Sequence, residues 1–297
     1  MNFIKKHKKL VIILGVILTL FVLLIIFMFT VFSLKSVEVD YLTTNDAIIS
    51  LEEDIKNEIS LGGTVLFKSK DEISKNIEKK YPYVKVVNIE TVFPNKFVLH
   101  LAERQELFAV KTNSKFAILD EELKILDVRE NFENGKDNPI LLSVFESNLD
   151  IENRVGEFLD FKETNFGNVD GISVQNFLNG LNAAFQKSSW TINDIQSFSK
   201  SLKLYSNFDY KTANVVLCAS FLTFEDFEIK FYEPNKDFSQ KLSNAIYVYS
   251  HICANEPAKL ETHRLICYEN KQGELTCVLE EKWFTWLKKS YIIGLYG

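Results

Sequence analysis

The chain is predicted to be an α+β protein. One N-terminal membrane-spanning helix leads into a small βααββ domain, followed by a mixed antiparallel β domain with helices. Three observations predict this. A long run near the N-terminus carries no charge, two capped amphipathic helical stretches lie between alternating strand patterns, and several strand-like segments surround an amphipathic helix in the second half. A chain of 297 residues, 46% hydrophobic and 25% charged, has material for real cores. Its 25 phenylalanines supply much of the area to be buried.

The span comes first. Residues 10–33, LVIILGVILTLFVLLIIFMFTVFS, hold no charged side chain. As a helix at about 1.5 Å per residue they reach roughly 36 Å, enough to cross a hydrocarbon layer of about 30 Å with some tilt. A single isolated span must satisfy its own backbone hydrogen bonds, which leaves the helix as its conformation. A cleaved signal sequence has a shorter apolar stretch and a small-residue cleavage site, whereas this run ends in the bulky Met28, Phe29, Val31 and Phe32. It is also apolar on every face, unlike a core helix. Lys5, Lys6, His7, Lys8 and Lys9 precede it and only Lys35 follows closely. The positive-inside rule therefore puts the N-terminus in the cytoplasm and the remainder outside. The chain carries −6 and the four lysines before the span carry +4, so the remainder carries −10. An acidic exported domain argues against nucleic-acid binding, which needs a basic face.

A compact βααββ unit follows. Residues 37–41 alternate apolar and polar, as a half-buried strand does. Ser50-Leu51-Glu52-Glu53 has the form of a capping box, and Leu51, Ile55 and Ile59 then recur on one helical face. Gly62-Gly63 stops that helix in a left-handed conformation. A second capping box, Ser69-Lys70-Asp71-Glu72, opens a helix with Ile73 and Ile77 on one face, and Pro82 ends it. Residues 84–90 and 96–101 are strands joined by a turn holding Pro94. Two helices on one face of a small sheet make an α+β layer.

These residues resemble the FtsQ/DivIB family, whose members place a POTRA domain directly after one N-terminal span. The resemblance rests on Gly63-Thr64-Val65-Leu66-Phe67, on Ile73 through Tyr81-Pro82-Tyr83-Val84, on Phe93-Pro94, and on Glu103-Arg104, in the family's order and spacing. It covers residues 1–126 well and only loosely beyond. Two departures stand out: Gln105-Glu106-Leu107-Phe108 lacks the family's proline, and Asp120-Glu121-Glu122-Leu123 lacks its glycine. Both concern turn geometry rather than chemistry.

The second half reads as a hairpin at residues 116–119 and 123–126, a softer region over 145–195 that suggests an insertion, and a helix near 174–185 within it. Strands follow at 214–222 and 227–232. Residues 238–252 form a helix with Leu242, Ala245, Ile246 and Tyr249 on one face, and a final hairpin closes the domain. Its boundaries divide the chain into a cytoplasmic tail (1–9), the span (10–33), a POTRA-type domain (34–104), a β domain (105–282) and a C-terminal tail (283–297).

The four cysteines, Cys218, Cys253, Cys267 and Cys277, all fall outside the membrane, where disulfides are permitted. If Lys271-Gln272-Gly273 is a three-residue hairpin loop with Gly273 left-handed, Cys267 stands opposite Cys277 and can pair with it. Buried free thiols are the alternative. His251, Cys253, His263, Cys267 and Cys277 are a loose group without the spacing of a zinc site, so no metal and no cofactor are expected.

No catalytic residue is expected either. Ser197-Phe198-Ser199-Lys200 satisfies a Ser-x-x-Lys pattern and Lys211-Thr212-Ala213 is near Lys-Thr-Gly. In penicillin-binding enzymes those motifs come from distant parts of a large domain, and here they are too close together. The resemblance implies a non-enzymatic division scaffold. It implies partners of the FtsB/DivIC and FtsL type (small bitopic division proteins) and, through them, the septal peptidoglycan synthase. The lipid bilayer would hold residues 10–33, and the septum would be the location. It also implies docking of a partner on an edge strand near the end of the β domain. The residues at that place are Leu275, Thr276, Cys277, Val278 and Leu279, followed by Trp283, Phe284 and Trp286. Aromatic residues suit interface anchors, and they equally suit closing a core. A generic envelope adaptor built on the same domain is the alternative function, and localisation separates the two.

Overall fold

A computed structural model describes residues 8–145, 151, 153–209, 214–270 and 272–282, with side chains from residue 12 onward. The chain forms two compact units, Met1–Arg104 and Gln105–Gly297.

The first unit begins with helix α1 (Lys8–Val31). Its stretch Ile12–Val31 is long and apolar enough to cross a membrane, and no part of it is buried against protein. Strand β1 (Ser36–Tyr41) follows, then helices α2 (Asp46–Ile49), α3 (Glu52–Glu58) and α4 (Lys70–Lys80), and strands β2 (Val84–Val92) and β3 (Lys96–Glu103). The sheet order is β1-β3-β2, with β1 parallel and β2 antiparallel to β3. Its core joins Ile48, Ile55, Ile59 and Ile77 of the helical layer to Val84, Ile89, Phe97, Leu99 and Leu101 of the sheet.

Two local readings are corrected here. Ser50 does not cap the helix that follows it. Asn45 caps the short α2 by accepting from Ala47 N at 2.9 Å, while Ser50 ends α2 and donates its hydroxyl to Ala47 O. A serine that finds an acceptor one turn back has no need to cap forward. The second correction concerns Gly62 and Gly63. Both have positive φ, but they come after α3 has ended at Glu58. They turn the chain back to Leu34, with Gly62 N donating to Leu34 O and Leu34 N to Gly63 O. Ser69 does cap α4, accepting from Glu72 N.

The Glu103-Arg104 pair closes the unit. Glu103 accepts from Thr43 Oγ1 and Asn45 Nδ2, holding the loop before α2. Arg104, almost fully buried, donates to Glu78 of α4 at 2.9 Å, and its amide donates to Tyr83 O.

The second unit is built on a nine-stranded sheet. Its strands are β4 (Phe108–Lys111), β5 (Phe116–Leu119), β6 (Ile125–Arg129), β7 (Ile140–Val144), β10 (Ser199–Asp209), β11 (Asn214–Thr223), β12 (Glu228–Tyr232), β13 (His263–Glu269) and β14 (Leu275–Glu281). Their order is β14-β13-β12-β11-β10-β7-β4-β5-β6. Pairs β4–β7, β7–β10 and β12–β13 are parallel and the rest antiparallel, so the sheet is mixed. A small hairpin, β8 (Asn165–Phe166) and β9 (Val169–Asp170), leads into helix α5 (Gly171–Lys187). Helices α6 (Ile192–Phe198), α7 (Phe238–Asn255) and α8 (Lys259–Thr262) complete the unit.

One core joins the helices to a single face of this sheet. Leu202 and Leu204 of β10, Ala219 and Phe221 of β11, Ile229 and Phe231 of β12, and Leu265 and Cys267 of β13 meet Phe177, Leu181 and Phe185 of α5 and Leu242 and Ala245 of α7. Aromatic contacts run through it: Phe177 packs edge-on against Phe238, Phe185 against Phe221, and Phe221 against Phe231. Alternation along the strands sends Tyr232 and Tyr268 to the opposite face.

Candidate functional site

The two ends of the large sheet differ. Strand β6 is partly covered: Ile125 N donates to Glu157 O, Gly156 N to Ile125 O and Leu159 N to Leu123 O. Strand β14 is the other end, and among the described residues no strand pairs on its outer side. Left open, such an edge is a template for another strand.

The register fixes which backbone groups β14 offers. Cys267 and Cys277 are directly opposite, with Cα atoms 4.2 Å apart. That spacing belongs to a non-hydrogen-bonded antiparallel pair. At either end of the hairpin, Asn270 N donates to Glu274 O and Lys282 N to Thr262 O, which gives the same phase. Thr276, Val278 and Glu280 therefore spend their amides and carbonyls on β13. Leu275, Cys277, Leu279 and Glu281 turn theirs outward, alternating with them.

The loop of this hairpin holds that register. Gly273 has φ +81°, the left-handed region that glycine enters at little steric cost. Asn270 Oδ1 accepts from both Gln272 N and Glu274 N at 2.9 Å. Across the strands, Cys267 and Cys277 are disulfide-bonded, with Cys267 in the core. Cys277 Sγ lies 4.0 Å from Lys241 O, so α7 backs the bridge. Lys241 is itself buried and donates Nζ to Tyr232 O at 3.0 Å and to Glu233 O at 2.9 Å, fastening α7 to the end of β12. Burial lowers its pKa, with Glu233, Glu269 and Asp237 pulling the other way.

A groove of about 410 Å³ lies beside the edge, lined among others by Phe208, Tyr232, Ile266, Tyr268, Val278 and Glu280. Its apolar side chains stand beside four carboxylates, Asp209, Glu233, Glu269 and Glu280. Asn207 Nδ2 donates to Tyr232 Oη at 2.9 Å, and Arg264 Nε to Glu280 Oε2 at 2.8 Å. Val278 is exposed, and its side chain shares the groove with Ile266, directly across from it. Backbone groups on one side and apolar pockets on the other are the two requirements for binding an extended segment.

Leu275, Thr276, Cys277, Val278 and Leu279 thus come together in one strand. Cys277 and Leu279 face the core, and Val278 faces the groove. Trp283, Phe284 and Trp286 lie outside the described residues. The groove residues Tyr232, Ile266 and Tyr268 were missed from sequence. Their signal was the strand alternation itself, since each sits one position away from a core residue.

The other side-chain constellations are not brought together. Ser197 donates to Asp137 Oδ1 at 2.9 Å, while Lys200 pairs with Asp226, so the Ser-x-x-Lys residues serve different partners. Cys218 is buried and Cys253 exposed, both as free thiols. Among the described residues no group of three or more His, Cys, Asp or Glu side chains could hold a metal ion.

Residues 33–104 match the family model described as the FtsQ-type POTRA domain. The chain is 25% identical over 185 residues to the cell division protein DivIB of Clostridium tetani, covering 58% of this chain and 67% of that protein. It is 30% identical over 105 residues to DivIB of Clostridium botulinum strain Hall, covering 35% and 39%. Among solved structures it is similar to the major extracytoplasmic domain of DivIB from Geobacillus stearothermophilus. That likeness has 13% identity and a TM-score of 0.28 over 52% of this chain and 97% of the other.

Proposed function

We propose, for a chain that belongs to the FtsQ/DivIB family of cell-division proteins, the role of a bitopic scaffold that links early and late septum proteins by binding them outside the membrane. In this reading the N-terminus is cytoplasmic, residues 10–33 cross the membrane, and 34–104 is the POTRA module. Residues 105–282 form the partner-binding domain, with an insertion near 145–195, and 283–297 is a tail. The partners are bitopic division proteins of the FtsB/DivIC and FtsL type, and through them the septal peptidoglycan synthase. No catalytic residue is assigned.

The observation that carries the reading is the open edge of β14, with its outward amides and carbonyls beside an apolar groove. A partner segment adding itself as a tenth strand would gain four residues' worth of backbone hydrogen bonds from Leu275, Cys277, Leu279 and Glu281, and would seat alternate side chains in the groove. The disulfide and the Lys241 clamp hold that edge in place before binding, which reduces the ordering cost of association.

The test is co-purification of the full chain with the host's FtsB/DivIC-like and FtsL-like proteins. Val278→Asp places a charge in the groove at an exposed position and should leave stability within about 0.5 kcal/mol. Binding should weaken at least about tenfold, about 1.4 kcal/mol. Val87→Asp makes the matching change at an exposed position of β2, the outer strand of the small sheet. If Val87→Asp abolishes binding and Val278→Asp does not, the docking strand is β2, and the role assigned to β14 is wrong.

A further inference from the structure

We infer that the end of the first unit nearest α1 carries a lipid-binding rim, the loop tips at Leu61, Leu66, Phe67 and Phe93, which sits in the headgroup–acyl boundary of the outer leaflet. The inference rests on the reading of α1 as a membrane span.

The rim is tied to the helix exit by backbone bonds. Val65 N donates to Phe32 O, Leu34 N to Gly63 O and Lys35 N to Asn95 O, each at 2.8 Å. Ser33 bridges to Thr64, and the Phe32 ring meets the Phe93 ring edge-on with centroids 6.1 Å apart. Both loops therefore lie at the level where the chain leaves the helix.

Depth follows from helix length. The 22 uncharged residues from Leu10 to the helix end at Val31 rise about 33 Å, enough to span a hydrocarbon layer of about 30 Å with some tilt. Val31 then lies at its outer boundary and Phe32 just beyond. The interfacial region adds roughly 5–7 Å on each side. The loops whose backbones bond to residues 32–35, and the Phe93 ring that meets Phe32, fall within that layer.

The composition of the rim fits the same place. Phe67 is 74% exposed, Phe93 63% and Leu61 62%, in a domain whose other large aliphatic and aromatic side chains are mostly buried. Leu42 and Val87 are also exposed, but each is isolated and neither belongs to these loops. The exported part of the chain is acidic, yet residues 59–68 and 91–97 contain no Asp or Glu. They contain Lys68, which donates to Ser60 O at 2.6 Å, and Lys96, which pairs with Glu38 of β1. Apolar tips on loops without acidic residues suit the boundary between acyl chains and headgroups. Apolar exposure on loops bonded to the helix exit calls for a partner, and the bilayer is the one already at hand.

The experiment uses the full chain, with Cys253→Ser to remove the exposed thiol, reconstituted in phosphatidylcholine vesicles. An environment-sensitive fluorophore is attached at Phe67→Cys, at Phe27→Cys inside the span, and at Lys79→Cys, exposed in the last turn of α4, which leads to Val84 at the Glu103 end of the sheet. Leu61→Cys repeats the measurement should the Phe67 variant fail to reconstitute. Quencher lipids labelled high on the acyl chain report depth. The expected result is a blue shift and loss of most emission at positions 27 and 67, with no change at 79. Quenching at 27 with none at 67 overturns the rim while leaving the span intact. No quenching at 27 overturns the span, and the rim with it. Quenching at 67 and 79 alike also overturns the rim, because a domain lying flat on the bilayer would give it.

Discussion

Arg104 shows how one side chain closes a domain. Its guanidinium is almost wholly buried and donates to Glu78, whose other carboxylate oxygen accepts from Val86 N at 2.9 Å. Arg104→Ala removes a buried cation and its bond to a half-buried carboxylate, so the first unit should lose about 2 kcal/mol of stability, read from urea unfolding. The cysteines allow a second residue-scale test. Cys218 is fully buried on β11, and burial pushes its thiol up to about 12. At pH 8 it is protonated and shielded, whereas Cys253 is exposed. A maleimide should label one thiol per folded chain, at Cys253, and label Cys218 only after unfolding. Labelling of both at equal rates would contradict the burial. At this scale the sequence was legible where the residue type decides geometry. Ser69 as a cap and Gly273 as a left-handed loop residue follow from their chemistry alone. Ser50 was misread because two capping residues five positions apart, Asn45 and Ser50, compete, and only packing decides between them.

Among the elements, helix α5 has the tightest start. Asp170 caps it by accepting from Ser173 N at 2.7 Å, and Gln175 Oε1 accepts from Phe161 N at 2.8 Å. A Cβ added at Gly171 would stand 1.7 Å from Phe161 O and 2.5 Å from Thr164 O, both backbone atoms. Gly171→Ala must therefore push the 161–164 loop off the helix, and should cost the second unit about 3 kcal/mol in thermal or urea unfolding. A loss below about 0.5 kcal/mol would show that the loop gives way freely. Long periodic elements were readable: α7 and the β13–β14 hairpin stand where alternation and the helical stripe put them. Strand β10 was not, because only Leu202 and Leu204 of its eleven residues face the core and most of the others are polar. Its place in the middle of the sheet comes from β7, far away in sequence, on one side and the adjoining β11 on the other. Helix α6 had a signal that went unused: Thr191 and Asp194 form a complete capping box, each side chain bonded to the other's backbone amide.

Across the whole molecule, the fold class and the position of the final strand could be reached from sequence, while the surface beside that strand could not. The groove needs Phe208 of β10, Tyr232 of β12 and Ile266 of β13 to stand next to Val278, and strand order is what sets them there. Two units with different surfaces follow one apolar helix. One carries apolar loop tips beside the helix exit, and the last described strand of the other is stiffened by a disulfide and a buried lysine. We propose that β14, whose outer side no described strand covers, receives a division partner, and residue-resolved amide exchange on the full chain, with and without an FtsB/DivIC-like partner, decides this. Thr276, Val278 and Glu280 are already bonded to β13 and should exchange slowly in both states. Leu275, Cys277, Leu279 and Glu281 should exchange fast alone and slow markedly with the partner bound, in strict alternation along β14. Protection that appears on β2 instead, or that leaves these four amides unchanged in a formed complex, would contradict the account.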